Sequence, residues 1–278
     1  MLSGRHRMRR WVIALAILLG SAVLGASTGI SNDKPRAPIT IEYHGQSFYI
    51  LTSSKGTRIA FDPHTIPDYY PDRIVYLKKV DAVCISHNHN DHIRVEALEA
   101  KEKGGKLKVL RGLKTPGLKS DWAILDETID DVKIRTVGVF HDTKEGLERG
   151  KVAVFVVEVD GWRVAHLGDL GHLLTASQLK RIGPVDVIMI PVGGIYTLNG
   201  AEAKQVVEQL KPKEYIFPMH YGTKVFTDIL PPDEFYEDVE NRRIAILDEN
   251  VIKLNRDAQR PRPLVVQLHY WAKEKKEK

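Results

Sequence analysis

An α/β fold is what this sequence predicts. Short apolar or alternating runs recur along the chain, helix-like apolar stripes follow several of them, and a number of the runs end directly in a His- or Asp-bearing loop. Alternation marks half-buried strands, and spacings of three and four mark helix faces.

The elements follow in order. Apolar or alternating runs predict strands over 40–43, 47–52 and 57–61, the first two separated by a short glycine-bearing turn. Further strands are expected at 82–86, 108–110, 132–139, 152–159 and 162–167. Asp160-Gly161 joins the last two as a hairpin turn. Buried runs over 186–190 and 215–217 continue the pattern, and 265–268 reads as a final strand. Helices fit 93–103, where Ile93, Ala97 and Ala100 form a stripe, and 175–182, capped by Thr175. Two more fit 201–210, capped by Asn199 or Gly200, and 233–241. Hairpins followed by strand–helix units, in two halves, suit two sheets sandwiched between helices.

The chemistry concentrates in Ser86-His87-Asn88-His89-Asn90-Asp91-His92, which puts three histidines and an aspartate within six residues. Imidazole and carboxylate are the usual ligands of zinc and related divalent metals. A dinuclear site needs more ligands. His141, Asp169 and His220 each sit at or just past the end of an expected strand, where an α/β scaffold presents working residues on loops.

These motifs resemble the metallo-β-lactamase superfamily, and within it the small stand-alone metal-dependent hydrolases that include ascorbate-6-phosphate lactonases. The resemblance rests on Phe61-Asp62-Pro63, the H-x-H-x-D-H loop, Gly168-Asp169-Leu170-Gly171-His172, Pro191-Val192-Gly193-Gly194 and Pro218-Met219-His220-Tyr221-Gly222, in family order over residues 39–222. It implies a four-layer αββα sandwich. It places His87, His89 and His141 on one metal and Asp91, His92 and His220 on a second, with Asp169 between them. The chain departs from the family pattern at Gln46, where relatives often carry His, and at Asn199, where they often carry Asp.

The chemistry so implied is hydrolysis of a small ester, lactone or phosphodiester by a water ionised on two divalent ions, zinc first and manganese or iron as alternatives. No serine or cysteine nucleophile is needed. Asp91 and His172 are the candidate catalytic residues beyond metal binding, Asp91 to orient the attacking oxygen. His172 has an equally good reading as a cap of the following helix. His166 reads as a packed structural histidine, and His44 and His64 as bland residues near the first hairpin. Tyr196 and Tyr221 are candidate donors to a developing oxyanion, with packing as the competing reading. His6 and His269 look irrelevant to the site.

The first 26 residues read as a secretory leader: Arg5, Arg7, Arg9 and Arg10, then an apolar stretch from Trp11 to Leu24, then Leu24-Gly25-Ala26. An uncleaved anchor is the alternative, and would be the only route to a membrane. Residues 27–38 form a linker, 39–270 a single domain and 271–278 a charged tail. An exported, periplasmic location follows. The net charge is +5, of which the four leader arginines account for all but +1, so a basic nucleic-acid surface is not implied. The expected partner is a small-molecule substrate. The single cysteine, Cys84, lies in an apolar strand and reads as core packing.

Two other functions fit the residues: an envelope protein that binds metal or ligand without turnover, and a di-iron redox protein, although no flavin domain is attached to supply electrons.

Overall fold

The computed structural model describes residues 37–271 except 118–119 and 257. The expected leader, most of the linker and the tail lie outside the described residues. No described helix is long and apolar enough to cross a membrane.

The chain opens with an antiparallel meander, β1 (Ile39–Tyr43), β2 (Tyr49–Thr52) and β3 (Arg58–Phe61). The short β4 (Lys78–Val80) leads to β5 (Ala82–Ile85), which lies parallel to β3. β6 (Leu98–Ala100) pairs with β4, and β7 (Lys108–Arg111) pairs with β5. β8 (Asp126–Ile129), β9 (Val132–Phe140), β10 (Lys151–Val159) and β11 (Trp162–His166) form a second meander. Parallel β12 (Val187–Pro191) and β13 (Tyr215–Met219) extend it, separated by α1 (Ala176–Ile182) before β12 and α2 (Gly200–Leu210) after it. α3 (Asp233–Tyr236), β14 (Ile244–Ile246), β15 (Val251–Leu254) and β16 (Leu264–Gln267) complete the domain.

Two large sheets result, a six-stranded one ordered β15-β1-β2-β3-β5-β7 and an eight-stranded one ordered β14-β16-β13-β12-β11-β10-β9-β8. Period-two alternation decides which side chains lie between them. Ile39, Ile41, Tyr49, Phe61 and Cys84 from the first sheet pack with Ile134, Phe155, Trp162, Met189 and Phe217 from the second. Phe61 meets Phe155 with ring centres 6.4 Å apart, and Tyr49 meets Phe217 at 6.2 Å. Cys84 is fully buried in this layer, and burial pushes its thiol well above the ordinary range. The opposite residues of the second sheet, such as Val154, Val156, Ile188 and Ile190, pack against the helices. α2 buries Gly200, Ala203, Val206 and Leu210, a three-three-four spacing that lays one stripe on the sheet.

Thr175 and Asn199 cap α1 and α2, each closing a reciprocal capping box with Gln178 and Glu202. The outer face of the six-stranded sheet differs from expectation. Residues 93–103 do not form a helix: a 3₁₀ turn, Val95–Ala97, runs into β6. Ala97 and Leu98 are buried there with Phe48, Ile50, Val80 and Val83. The same apolar spacing serves either conformation, and pairing with β4 decides for the strand, with the Lys101 N–H continuing onto the Val80 carbonyl. α3 is also shorter than the expected 233–241, because Glu237 turns to an extended ψ of 135°.

Candidate metal centre

Four strand ends converge on one point. The loop after β5 carries His87, His89, Asp91 and His92, β9 runs into His141, β11 leads to Asp169, and β13 is followed by His220. The first belongs to one sheet and the other three to the second, so the cluster sits where the two sheets meet.

Asp169 is its centre. Its Oδ2 lies 3.2 Å from His92 Nε2, 3.2 Å from His141 Nε2, 3.3 Å from His220 Nε2 and 3.7 Å from His87 Nε2. Ser47 Oγ–H donates to the other oxygen at 3.3 Å. Asp91 Oδ2 stands 3.3 Å from His92 Nε2 and 3.7 Å from His220 Nε2. Ligand atoms of His87, His89, His141 and Asp169 lie within 4.8 Å of one another, as do those of Asp91, His92 and His220. The structure thus brings together all seven residues that the sequence singled out as metal-ligating.

Electrostatics agree with that grouping. Burial pushes His87 well below the ordinary histidine range, and it pushes His89 down to about 4, helped by neighbouring imidazoles. Burial opposes the charge on Asp169, but His220 and His92 outweigh it and hold the carboxylate well below its usual range. Burial likewise disfavours the charged form of His92, yet Asp169, Asp91 and Asp62 overcome it and hold His92 well above the ordinary value.

The donor set fits divalent cations. The Nε2 atoms of His87 and His92 are buried and have no hydrogen-bond partner among the described residues. Unpaired buried polar atoms are costly and rare, and here they point at an aspartate oxygen that two further imidazoles, those of His141 and His220, also face. That combination is a nitrogen–oxygen coordination environment.

Asp62, which follows β3, is a functional residue that the sequence reading left without a role. It is fully buried and takes a left-handed φ of 45°. It accepts the Ser86 N–H at 2.7 Å and the Ser86 hydroxyl at 2.6 Å, and its Oδ2 lies 3.1 Å from His92 Nδ1. A carboxylate behind a ligating histidine fixes the ring's tautomer and aim. Only the pairing of β3 with β5 reveals this; in sequence Asp62 and His92 are far apart.

His172 turns towards backbone groups. Its Nε2 accepts the Phe140 N–H at 3.1 Å, its Nδ1–H donates to the Leu173 carbonyl at 2.7 Å, and its ring packs on Phe140. Both nitrogens face backbone groups, and the side chain is not among the residues lining the cavity at the cluster. His166 packs between the sheets, stacked on Phe61 at 5.1 Å, with Nε2 2.9 Å from the Ser47 carbonyl. His64 is buried with Nε2–H donating to the His44 carbonyl, and burial pushes it down to about 3. His44 is buried beside Glu42 at 3.5 Å. Tyr221 packs in the helix layer. His269 packs on Tyr270 and Trp271. His6 lies outside the described residues. Tyr196 does reach the site.

A cavity of about 370 Å³ opens onto the cluster, lined by His89, Asp91, His141, Asp169 and His220, by Ile66, Phe226 and Ile229, and by Arg149 and Tyr196.

Glycines let the backbones close up behind the cluster. A Cβ on Gly193 would stand 2.2 Å from the His220 carbonyl oxygen and 2.8 Å from Tyr221 Cα. These are backbone atoms and cannot swing aside. Gly193→Ala is expected to cost about 1–3 kcal/mol and to weaken metal binding by displacing His220. Thermal unfolding and metal titration read both effects; wild-type behaviour in both would contradict this packing account.

A family model described as the β-lactamase superfamily domain matches residues 40–220. A UPF0173 protein of Pyrococcus furiosus is 32% identical over 204 residues, 71% of this chain and 89% of its own length. A UPF0173 metal-dependent hydrolase of Thermococcus onnurineus is 28% identical over 220 residues, 75% of this chain and 96% of its own. Among solved structures, a candidate zinc-dependent hydrolase of the metallo-β-lactamase superfamily from Thermotoga maritima is 31% identical, with a TM-score of 0.59 over 83% of this chain and 99% of that one. With two facing sheets, strand-end histidines around a shared aspartate and these relatives, the chain belongs to the metallo-β-lactamase superfamily, and to the UPF0173 family within it.

Proposed function

We propose that this protein is a metal-dependent hydrolase that holds two divalent cations and cleaves a small ester, lactone or phosphodiester outside the cytoplasm. The observation that carries the reading is the convergence of four imidazole Nε2 atoms on Asp169 Oδ2 at 3.2–3.7 Å. The UPF0173 relatives described as metal-dependent hydrolases support it.

His87, His89 and His141 would hold one cation and Asp91, His92 and His220 the other, with Asp169 shared. Asp62 is taken up by Ser86 and His92 and serves to orient. When bound, zinc, or manganese or iron in its place, supplies Lewis acidity and makes water acidic enough to attack at neutral pH. The protein contributes the rest. Asp91 is only half-buried and faces the cavity, and it is held ionised because His92 and His220 outweigh the cost of its burial. It can therefore accept a hydrogen bond from the attacking water and aim it. Ile66, Phe226 and Ile229 give the cavity an apolar wall that excludes bulk water from the reacting bond. The apolar leader is the basis for the extracytoplasmic location.

The test is metal removal. Hydrolysis of 4-nitrophenyl esters, simple lactones or bis(4-nitrophenyl) phosphate is expected to vanish on chelation and to return with zinc, manganese or iron. A reconstituted protein inert to the whole panel would favour a binding protein without turnover. Hydrolysis indifferent to chelation would contradict the metal reading.

A further inference from the structure

We propose that Arg149, backed by Tyr196, is a substrate-specificity residue, and that the substrate carries an anionic carboxylate or phosphate group which this arginine binds. The inference rests on the hydrolase reading above and gives it a substrate class.

Among the described residues lining the cavity, Arg149 is the one side chain with a permanent positive charge; the others are histidines, carboxylates, Tyr196 and the apolar wall. Its guanidinium carbon lies 5.5 Å from the centre of the Tyr196 ring, a cation–π contact between two residues that line the cavity. Its neighbour Glu148 comes no closer than 3.8 Å, with both side chains partly in solvent, so that pair is weak and leaves the donors of the guanidinium available.

The loop carrying Arg149 is built to hold it in place. It joins β9 to β10, directly after His141. Buried Asp142 organises it: Oδ1 accepts the N–H groups of Lys144 and Gly146 at 2.8 and 2.9 Å, and Oδ2 accepts those of Glu148 and Arg149 at 3.1 and 2.7 Å. The His141 N–H donates to the Gly150 carbonyl at 3.0 Å, which ties Arg149's immediate neighbour to the metal-cluster strand. A solvating surface arginine needs no such cradle. A planar, always-charged fork fixed beside a hydrolytic cluster suits two-point recognition of a carboxylate or phosphate. The apolar residues of the same cavity, Ile66, Phe226 and Ile229, would take the uncharged remainder of the molecule.

The test uses phenylphosphonate, a non-hydrolysable anion with an apolar ring, titrated calorimetrically into the holoprotein and into chelator-treated protein. Wild type, Arg149→Gln and Arg149→Lys are compared, with metal content measured on each sample. The side chain is about one-third exposed, so Arg149→Gln should keep the wild-type melting temperature and metal content. The expected result is binding at least about tenfold weaker in Arg149→Gln, in both metal states, with Arg149→Lys in between. Equal affinity in wild type and Arg149→Gln, or no binding to wild type in either state, would overturn the assignment. Absent metal with Arg149-dependent binding retained would instead tell against the hydrolase reading alone.

Discussion

Asp169→Ala is expected to abolish metal binding and turnover together. Its carboxylate is the only group within 3.7 Å of the Nε2 atoms of His87, His92, His141 and His220 alike among the described residues, so both ligand sets lose a member at once. Alanine leaves the imidazoles facing one another without the negative charge that holds His92 and His220 above their ordinary range. Hydrolysis should fall on the order of a thousandfold or more, as when one member of a unit acting together is removed. Elemental analysis and the hydrolysis panel measure the two losses on one sample. A variant with wild-type metal content and rate would show that Asp169 is not the centre of the site.

Asp62→Ala should produce the second large effect, of a different kind. Asp62 touches no cavity atom, yet it is fully buried and holds Ser86 through two hydrogen bonds and His92 through Nδ1. Its loss strands buried partners, which typically costs roughly 3–5 kcal/mol. It also frees the His92 ring to rotate, so metal affinity should drop roughly 10–100-fold. Chemical denaturation of the metal-free protein and a competitive metal titration separate these contributions. Unchanged affinity would mean that His92 is aimed by its surroundings alone.

The metal loop was legible because its ligands are adjacent in sequence, and the chemistry of imidazole and carboxylate does not depend on the fold around them. His141, Asp169 and His220 were legible because each follows a strong apolar run, and strand ends are where such a scaffold carries its chemistry. What escaped depends on pairing across the chain. Asp62 acquires its role only when β3 lies beside β5. Residues 93–103 carry a helical stripe, but β4 offers them a partner strand, and nothing local announces it. β8 and β15 each bury only one residue, so edge strands of this kind show no clear alternation. His172 lay three residues from Asp169 and invited a catalytic reading, yet the turn aims it back at the Phe140 N–H. Arg149 drew no attention in sequence because its significance comes from Asp142's cradle and Tyr196's approach, both set by the folded hairpin.

The seven strand-end and loop residues around Asp169 are proposed to form a two-metal site. Metal content per chain, measured by elemental analysis on wild-type protein reconstituted with zinc and freed of excess, tests it most directly. Two ions per folded chain are expected, both removed by chelation. One ion, or none after reconstitution of correctly folded protein, would contradict it.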